Sequence, residues 1–462
     1  MLDLDTPNTA GTRQSPTFDN GNTEDDEIEN DIVSLENIEK VDCEKVQDTE
    51  KQVDESPRQL EPPPDGGFEA WLQISGSFFL FFNSWGISNT FGVFESYYVS
   101  IDLSHKTPSQ IAWIGSIQSF LLLLFGVITG PLFDRGYLRY LIIVGSFMVV
   151  LGMMMLSLCT EYYQVILSQA VLIGLGSGCL FIPSVALIPQ YFSSHRSLAT
   201  GIAASGGSIG GIVYPLVFHS LQPKIGFPWS TRIIGFIMFA TLIYATLIMR
   251  PRLPHSKHAR KLIDLSALRD PAFMSFMGLA VLGFMGIYVP FYYMASYAYK
   301  HGILSENTSF YTLIILNGAS IFGRIIPNFS ADIVGPVNIL IPFSFLTAIV
   351  GYCWLAANSV SGVVLICIFY GFFSGTFVSL PPACLTSLSP DIRILGTRMG
   401  MAFFFASLGL LVGTPVAGAL LEHNGFSFTH TIIFSATIVV AAGVMAVFTR
   451  VFKVGFNLRV KI

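Results

Sequence analysis

The chain has 462 residues, of which 52% are hydrophobic and only 12% charged, and its mean hydropathy is +0.61. A soluble domain usually carries about 25% charged residues, so this composition excludes an ordinary soluble protein and indicates an integral membrane protein. The formal net charge of −5 is unevenly distributed, because residues 1–64 hold 18 of the 30 acidic residues but only five of the 25 basic ones.

The first element is the acidic leader, residues 1–64, which is poor in aromatic residues and ends in three prolines at 62–64. Low hydrophobicity with high net charge predicts a disordered tail that cannot build a core. No basic segment followed by an apolar core, as in a signal peptide, is found at the N-terminus. We therefore expect the first membrane span to act as the targeting signal.

Beyond the leader, the sequence predicts an all-α integral membrane fold of twelve transmembrane helices in two pseudo-symmetric six-helix bundles. A helix needs about 20 predominantly apolar residues to cross the hydrocarbon. Stretches that meet this requirement lie at 70–94, 110–131, 138–158, 164–189, 197–219, 230–249, 272–294, 307–329, 337–356, 361–385, 396–421 and 428–450.

The positions of Lys and Arg predict both the domain boundaries and the orientation. Fifteen of them fall on one set of alternating connections and four on the other, which favours cytoplasmic N- and C-termini. The predicted units are a cytoplasmic tail, a first bundle, a basic cytoplasmic linker, a second bundle and a cytoplasmic C-terminal tail. These cover residues 1–64, 65–249, 250–271, 272–450 and 451–462.

Two short loops indicate that the second bundle repeats the first. Residues 130–136 (GPLFDRG) follow the second span, and residues 327–335 (PNFSADIVG) follow the eighth. Each places an acidic residue, Asp134 or Asp332, at the inner end of the second helix of its bundle. Internal repeats of this kind are common in secondary transporters.

The first of these loops resembles the signature of the major facilitator superfamily between helices 2 and 3. The resemblance rests on Gly130, Leu132, Asp134 and Arg135. It implies that Asp134 and Arg135 belong to a cytoplasmic latch, with Asp332 as the equivalent residue in the second half. A salt bridge at a helix end can hold one conformational state and be released in the other. An ordinary tight turn is the alternative interpretation.

Residues 65–71 (DGGFEAW), directly before the first span, and residues 190–206 (QYFSSHRSLATGIAASG) resemble the monocarboxylate porter family. The continuation at residues 207–215 (GSIGGIVYP) and the acidic leader look most like the fungal branch of that family. The resemblance covers the chain from about residue 62. From the residues themselves, the glycines of the second segment predict close helix packing. The first segment is expected to position the first span.

Arg324 is the one charged side chain placed deep inside a predicted span. It lies eight residues before Asp332, which on a helix puts it about 12 Å inside the inner edge of a roughly 30 Å core. A lone intramembrane guanidinium indicates a functional site by default. We predict an anion clamp, because the planar guanidinium matches a carboxylate. Structural pairing with helix carbonyls is the alternative.

The resemblance implies that Arg324 should work with an Asp four residues earlier and a Lys in the first span. Those positions hold Ser320 and Asn89. None of the 12 acidic residues after residue 64 is placed in the middle of a span, although Glu95 lies at the outer end of the first. The usual proton-coupling pair is therefore absent. Neutral and aromatic residues are predicted to line the cavity with Arg324: Asn83, Asn89, Tyr288, Tyr292, Asn317 and Tyr370.

These observations predict a transporter working by alternating access, with the lipid bilayer and a small, anionic organic molecule as its partners. No enzyme activity, cofactor, metal or nucleic acid is expected, and an accessory subunit is left undecided. Export of a fungal secondary metabolite and import of a carboxylate or vitamin-like compound both fit the residues. A non-transporting membrane sensor is the other alternative. The cell membrane is the predicted location, with the vacuole or another internal membrane as the alternative.

Overall fold

The computed structural model describes residues 63–99, 103, 105–252, 264–391, 394–423, 427–457, 460 and 461. The predictions for the leader up to residue 62 and for linker residues 253–263 lie outside the described residues. Within the described ranges the secondary structure is helical, without a β-strand. The all-α prediction is therefore confirmed for this part of the chain.

The described residues form twelve helical spans in the predicted order, labelled α1 to α12. Several contain a local break but keep one direction. They are α1 Gly67–Asn89, α2 Gln110–Asp134, α3 Leu138–Leu156, α4 Tyr162–Tyr191, α5 196–225, α6 227–248, α7 Pro271–Lys300, α8 Tyr311–Val334, α9 Pro336–Ala356, α10 Val360–Leu388, α11 Leu395–His423 and α12 Phe428–Val454.

Ten of the described helices are long and apolar enough to cross a membrane, and one of these, Arg196–Ile248, contains both α5 and α6. Within this helix only Gly226 has non-helical dihedral angles, with φ at +77°. We expected a loop over residues 220–229, but helical structure continues on both sides of Gly226. A positive φ costs glycine little, so the reversal can be confined to this residue.

The span α1 is more polar than the others because its polar side chains face other helices. Gln73, Ser77, Asn83, Ser84 and Asn89 are all buried. The regular helix ends at Asn89, five residues before the predicted boundary, and a short helix, Phe91–Tyr97, carries the chain onward. Glu95 therefore lies on this short helix, beyond α1.

Span α7 is interrupted at Tyr288, between the helical segments Pro271–Ile287 and Val289–Lys300. Pro290 has no N–H to donate to the carbonyl of Gly286. The Ser435 hydroxyl donates to that carbonyl at 2.9 Å, and the Tyr370 hydroxyl donates to the carbonyl of Ile287 at 3.0 Å. Helices α10 and α12 thus stabilise a break that places Tyr288 at the centre of the molecule.

Two equivalent helix pairs, α5 with α8 and α2 with α11, join the halves. Glycines bring the backbones together: a methyl group on Gly201 would overlap the carbonyl oxygen of Arg324, and one on Gly130 would overlap that of Gly396. Small residues permit such close approach between membrane helices. The glycines of residues 190–206 thus serve packing, as expected from the sequence.

The motif before α1 fastens that helix to the loop between α4 and α5. The carboxylate of Asp65 accepts hydrogen bonds from the backbone and hydroxyl of Ser193 and from the backbone of Ser194. Partial burial opposes its charge, but these hydrogen bonds hold the pKa of Asp65 below its ordinary value. The carboxylate is consequently ionised at neutral pH, and the contact weakens only as the pH falls through that lowered pKa.

Replacing Asp65 by alanine is expected to lower the stability of the folded protein by about 1–2 kcal/mol, because the Ser193 and Ser194 amides lose their acceptor. The measurement is the thermal unfolding midpoint of the purified full-length protein in detergent. Glu69→Ala is the matched control, since Glu69 is an exposed acid in the first turn of the same helix. Equal midpoints for both variants would contradict a fastening role for Asp65.

Candidate substrate site and candidate gate

Arg324 lies on α8 with only 2% of its surface exposed. Its Nε donates to the Ser320 hydroxyl at 3.2 Å, and its Nη1 donates to the carbonyl of Ala204 on α5. Among the described residues it has no carboxylate partner, and Nη2 has no acceptor. The helix carbonyl offsets part of the desolvation cost but leaves the positive charge unneutralised.

Helix α5 packs closely against α1 and α8 at the site because it has the small residues Gly207 and Ser208 at this point. A methyl group on Gly207 would lie 2.9 Å from Cβ of Trp85 and 3.2 Å from Nη1 of Arg324. The neighbouring Ser208 hydroxyl donates to that of Ser320 at 3.2 Å. Gly207 thus brings α1 and α8 together at one point, with Trp85 and Arg324 on either side of it.

Aromatic side chains from both halves form a layer beside Arg324. The indole of Trp85 on α1 and the ring of Tyr288 on α7 have centroids 5.9 Å apart and planes inclined by 14°. Phe284 lies 6.2 Å from both rings, inclined by 19° to Tyr288 and by 33° to Trp85. Phe181 on α4 contacts Trp85 and also Phe403 on α11. The layer thus joins side chains of α1, α4, α7 and α11.

The side chains of Asn89 and Asn317, both predicted to line the cavity, meet across the two halves. The Asn89 amide donates to the carbonyl of Gly207 at 3.3 Å and to Oδ1 of Asn317 at 3.4 Å. Oδ1 of Asn89 has no donor in the described part of the chain, and neither Nε1 of Trp85 nor the Tyr288 hydroxyl has a partner there. Water or a ligand can satisfy buried polar groups of this kind.

Three predicted cavity residues lie elsewhere. Asn83 binds the hydroxyls of Tyr214 on α5 and Thr241 on α6, within the first half. The hydroxyl of Tyr370 donates a hydrogen bond to the carbonyl of Ile287, at the break in α7. Tyr292 interacts with Ser119 of α2 and packs 6.0 Å from Phe91. The expectation that Asn83 and Tyr370 face Arg324 therefore needs correction, because helix-to-helix hydrogen bonds already use their polar groups.

Trp85, Ser208 and Phe181 belong to the site but were not predicted from the sequence. Trp85 lies four residues before Asn89 and therefore on the same face of α1, which is the signal that could have identified it. Phe181 follows from no such spacing. Its place depends on how α4 packs against α1 and α11.

Below the site, both acidic residues of the repeated loops bind the beginning of a helix in the opposite half. Asp134, at the end of α2, accepts hydrogen bonds from the backbone N–H groups of Gly396 and Thr397 at 3.0 and 2.7 Å. Asp332, near the end of α8, accepts from those of Ser197 and Leu198 at 2.7 and 2.9 Å. We call these two contacts the candidate gate.

The gate contacts use helix N-termini, where unpaired N–H groups and the helix dipole favour a carboxylate. Asp134 acts on α11 and Asp332 acts on α5, so the two contacts are equivalent in the internal repeat. Arg135 ends the helical segment that Asp134 belongs to and is half-buried. The salt-bridge latch stays a prediction, and the contacts shown for Asp134 and Asp332 are hydrogen bonds to helix ends.

The linker reaches the same region through an ion pair. Asp264 lies 2.8 Å from Nε of Arg398, next to the Thr397 that Asp134 binds. Burial opposes the charge of Asp264, but hydrogen bonds from Ser266 and Arg398 hold the pKa of its carboxyl below the ordinary value. The guanidinium also lies over the ring of Phe273, 5.7 Å from its centroid. The start of α7 is thereby attached to the start of α11.

Comparisons with known proteins agree with this architecture. The family model described as Major Facilitator Superfamily matches residues 74–330. The MFS-type transporter dbaD of Emericella nidulans is 46% identical over 79% of this chain and 82% of its own length. The aspyridones efflux protein apdF of the same organism is 36% identical, over 84% of this chain and 78% of its own.

Among solved structures, the human organic anion transporter MFSD10 (TETRAN) superposes with a TM-score of 0.65. The match covers 82% of this chain and all of that one, at 13% sequence identity. At this identity the likeness concerns the fold, which is the two-bundle architecture described above. These matched proteins are transporters, not enzymes.

Proposed function

This chain belongs to the major facilitator superfamily, and from that premise we propose that it exports a small organic anion, a metabolite of fungal secondary metabolism. The proposal includes the monocarboxylate porter branch, on the strength of residues 65–71 and 190–206. It also places the protein in the cell membrane with both termini cytoplasmic. The distribution of Lys and Arg supports that orientation.

The observation that carries the proposal is the position of Arg324. A guanidinium that is 2% exposed, without a carboxylate partner in the described residues, is a costly feature unless an anion joins it. Nη2 remains for that anion, while Nε and Nη1 hold the side chain in place. The substrate therefore supplies the counter-ion.

The geometry supports a cycle in which the gate and the site act through the same helices. With the gate open, a cytoplasmic anion reaches Arg324 between α5 and α8. Closure re-forms the contacts of Asp134 and Asp332 and returns the halves to the arrangement seen here. Outward release then requires that outer contacts part, among them the 2.8 Å hydrogen bond between Ser116 and Thr414 and the stacking of His219 on Phe310.

Export rather than import is favoured by the relatives. One of them is named for the efflux of aspyridones, and the chain covers 78% of its length. Import of a carboxylate or vitamin-like compound would use the same site in the opposite direction. Direct measurement with vesicles of defined orientation separates the two.

The test uses inside-out and right-side-out vesicles from cells that express the protein, with a panel of labelled aromatic and aliphatic carboxylic acids and their neutral amides. We expect acids to accumulate in inside-out vesicles and amides to remain at the level of vesicles without the protein. Equal transport of an acid and its amide would contradict the anion site. Accumulation only in right-side-out vesicles would contradict export. A proton ionophore added to each set reports whether a proton gradient drives the movement.

A further inference from the structure

We infer that Trp85 and Tyr288 form a subsite for a planar, conjugated organic acid that carries a hydrogen-bond-accepting oxygen near its acidic group. This inference rests on the proposed function, because Arg324 binds the acid. It adds the shape of the ligand and the position of its second oxygen. The two side chains come from opposite halves, so the ligand would contact both.

The first argument is the orientation of the rings. The ring of Tyr288 lies nearly parallel to those of Trp85 and Phe284, inclined by 14° and 19°, whereas Trp85 and Phe284 are inclined by 33° to each other. Other contacts of the layer are edge-on, such as Trp85 with Phe181 at 78° and Phe181 with Phe403 at 73°. A flat ligand ring can lie parallel to Trp85 and Tyr288, and the edge-on rings bound it at the side.

The second argument is that two hydrogen-bond donors in this stack are unused. Nε1 of Trp85 and the hydroxyl of Tyr288 are buried, with side chains 2% and 5% exposed, and have no partner among the described residues. A buried donor without an acceptor is destabilising, whereas phenylalanine would fill similar space without that cost. A ligand oxygen that accepts hydrogen bonds from both groups would satisfy these donors.

The third argument is proximity to the positive charge. Trp85 and Arg324 both contact the position of Gly207, and the ring of Tyr288 lies 5.9 Å from that of Trp85. Oδ1 of Asn89, four residues from Trp85 on α1, is a free acceptor beside them. A ligand with an acidic group on Arg324 can therefore place an adjacent carbonyl or hydroxyl oxygen at the donors of the stack.

The test measures equilibrium binding of three labelled probes to the purified full-length protein. The first, 1-hydroxy-2-naphthoate, has the ring, the acid and the adjacent oxygen. The second, 2-naphthoate, lacks the adjacent oxygen. The third, decahydro-2-naphthoate, keeps the acid but has no planar ring. For the wild type we expect the affinity to fall about tenfold from 1-hydroxy-2-naphthoate to 2-naphthoate, and about tenfold again from 2-naphthoate to decahydro-2-naphthoate.

Binding to variants shows which side chain is responsible for each difference in affinity. Trp85→Phe and Tyr288→Phe keep a ring and remove one donor each, so both should weaken 1-hydroxy-2-naphthoate about tenfold and leave 2-naphthoate unchanged. Trp85→Leu should remove the preference for the planar ring. Trp354→Phe is the matched control, because Trp354 also has a buried, unpartnered Nε1 but lies at the end of α9 against Tyr297.

Each part of the subsite proposal is contradicted by a different result. If the wild type binds all three probes equally, or none of them, the subsite proposal fails, while the acid and amide transport assay still decides the proposed function. If Trp85→Phe changes binding no more than Trp354→Phe, the role of the indole N–H is wrong. Variants of reduced stability are identified by their unfolding midpoints, and binding of 2-naphthoate shows whether the anion site persists in them.

Discussion

Replacing Arg324 by glutamine is expected to reduce the transport of organic anions about a hundredfold or more at equal surface expression. Removing one partner from a buried ion pair typically costs 3–5 kcal/mol, and each 1.4 kcal/mol corresponds to a factor of ten. Glutamine retains hydrogen-bonding groups of similar polarity but has no charge. The measurement is the initial rate of uptake of labelled acids into inside-out vesicles.

Two further variants determine whether charge or geometry matters at this position. Arg324→Lys keeps the charge without the planar guanidinium, and we expect it to retain part of the activity. Arg232→Gln is the matched control, since Arg232 pairs with Ser157 and Trp229 within the first half. If Arg324→Gln transports acids as fast as Arg232→Gln, then Arg324 is a structural residue that pairs only with helix carbonyls.

Removing both gate carboxylates is expected to open the cytoplasmic side. Each of Asp134 and Asp332 binds two backbone N–H groups at a helix start, an interaction worth about 1–2 kcal/mol. The double variant Asp134→Ala/Asp332→Ala should therefore shift the population toward the inward-open state by about a hundredfold. Distances between spin labels at the cytoplasmic ends of α2 and α11 measure this shift.

Asp270→Ala provides the control for the gate. Asp270 accepts a hydrogen bond from the N–H of Ala272 at the beginning of α7, but both residues belong to the second half. It should therefore lower stability without changing the distance between the halves. An unchanged distance in the double gate variant would contradict the gate. A distance change in Asp270→Ala would mean that the assay reports stability instead.

The site and the gate share the α5–α8 helix pair. Arg324 and Asp332 lie on α8, eight residues apart, and each contacts α5: Arg324 at Ala204, and Asp332 at the first residues of the helix. An anion on Nη2 would neutralise the charge of Arg324 within the same helix pair that Asp332 holds. Two states of one packed element can thus couple the sites. This coupling needs no pathway that extends beyond the two helices.

The hydropathy of the chain was sufficient to predict the membrane class, the order of the spans and most of their boundaries. Errors occurred where polar residues face protein instead of lipid, as in α1, and where one glycine reverses the chain, as at Gly226. Hydropathy reports the average preference of a segment for lipid. It does not report which neighbour each side chain meets.

Arg324 could be selected from the sequence as a candidate because a charge in an apolar span is conspicuous by itself, and the repeated loops indicated Asp134 and Asp332 as candidates. The partners of these residues are set by packing between segments up to 263 residues apart, as for Asp134 and Thr397. Only the tertiary structure separates Asn89 and Tyr288, which border the site, from Asn83 and Tyr370, whose hydrogen bonds join helices. These pairs have the same composition, so their roles depend on which face of each helix the fold turns toward Arg324.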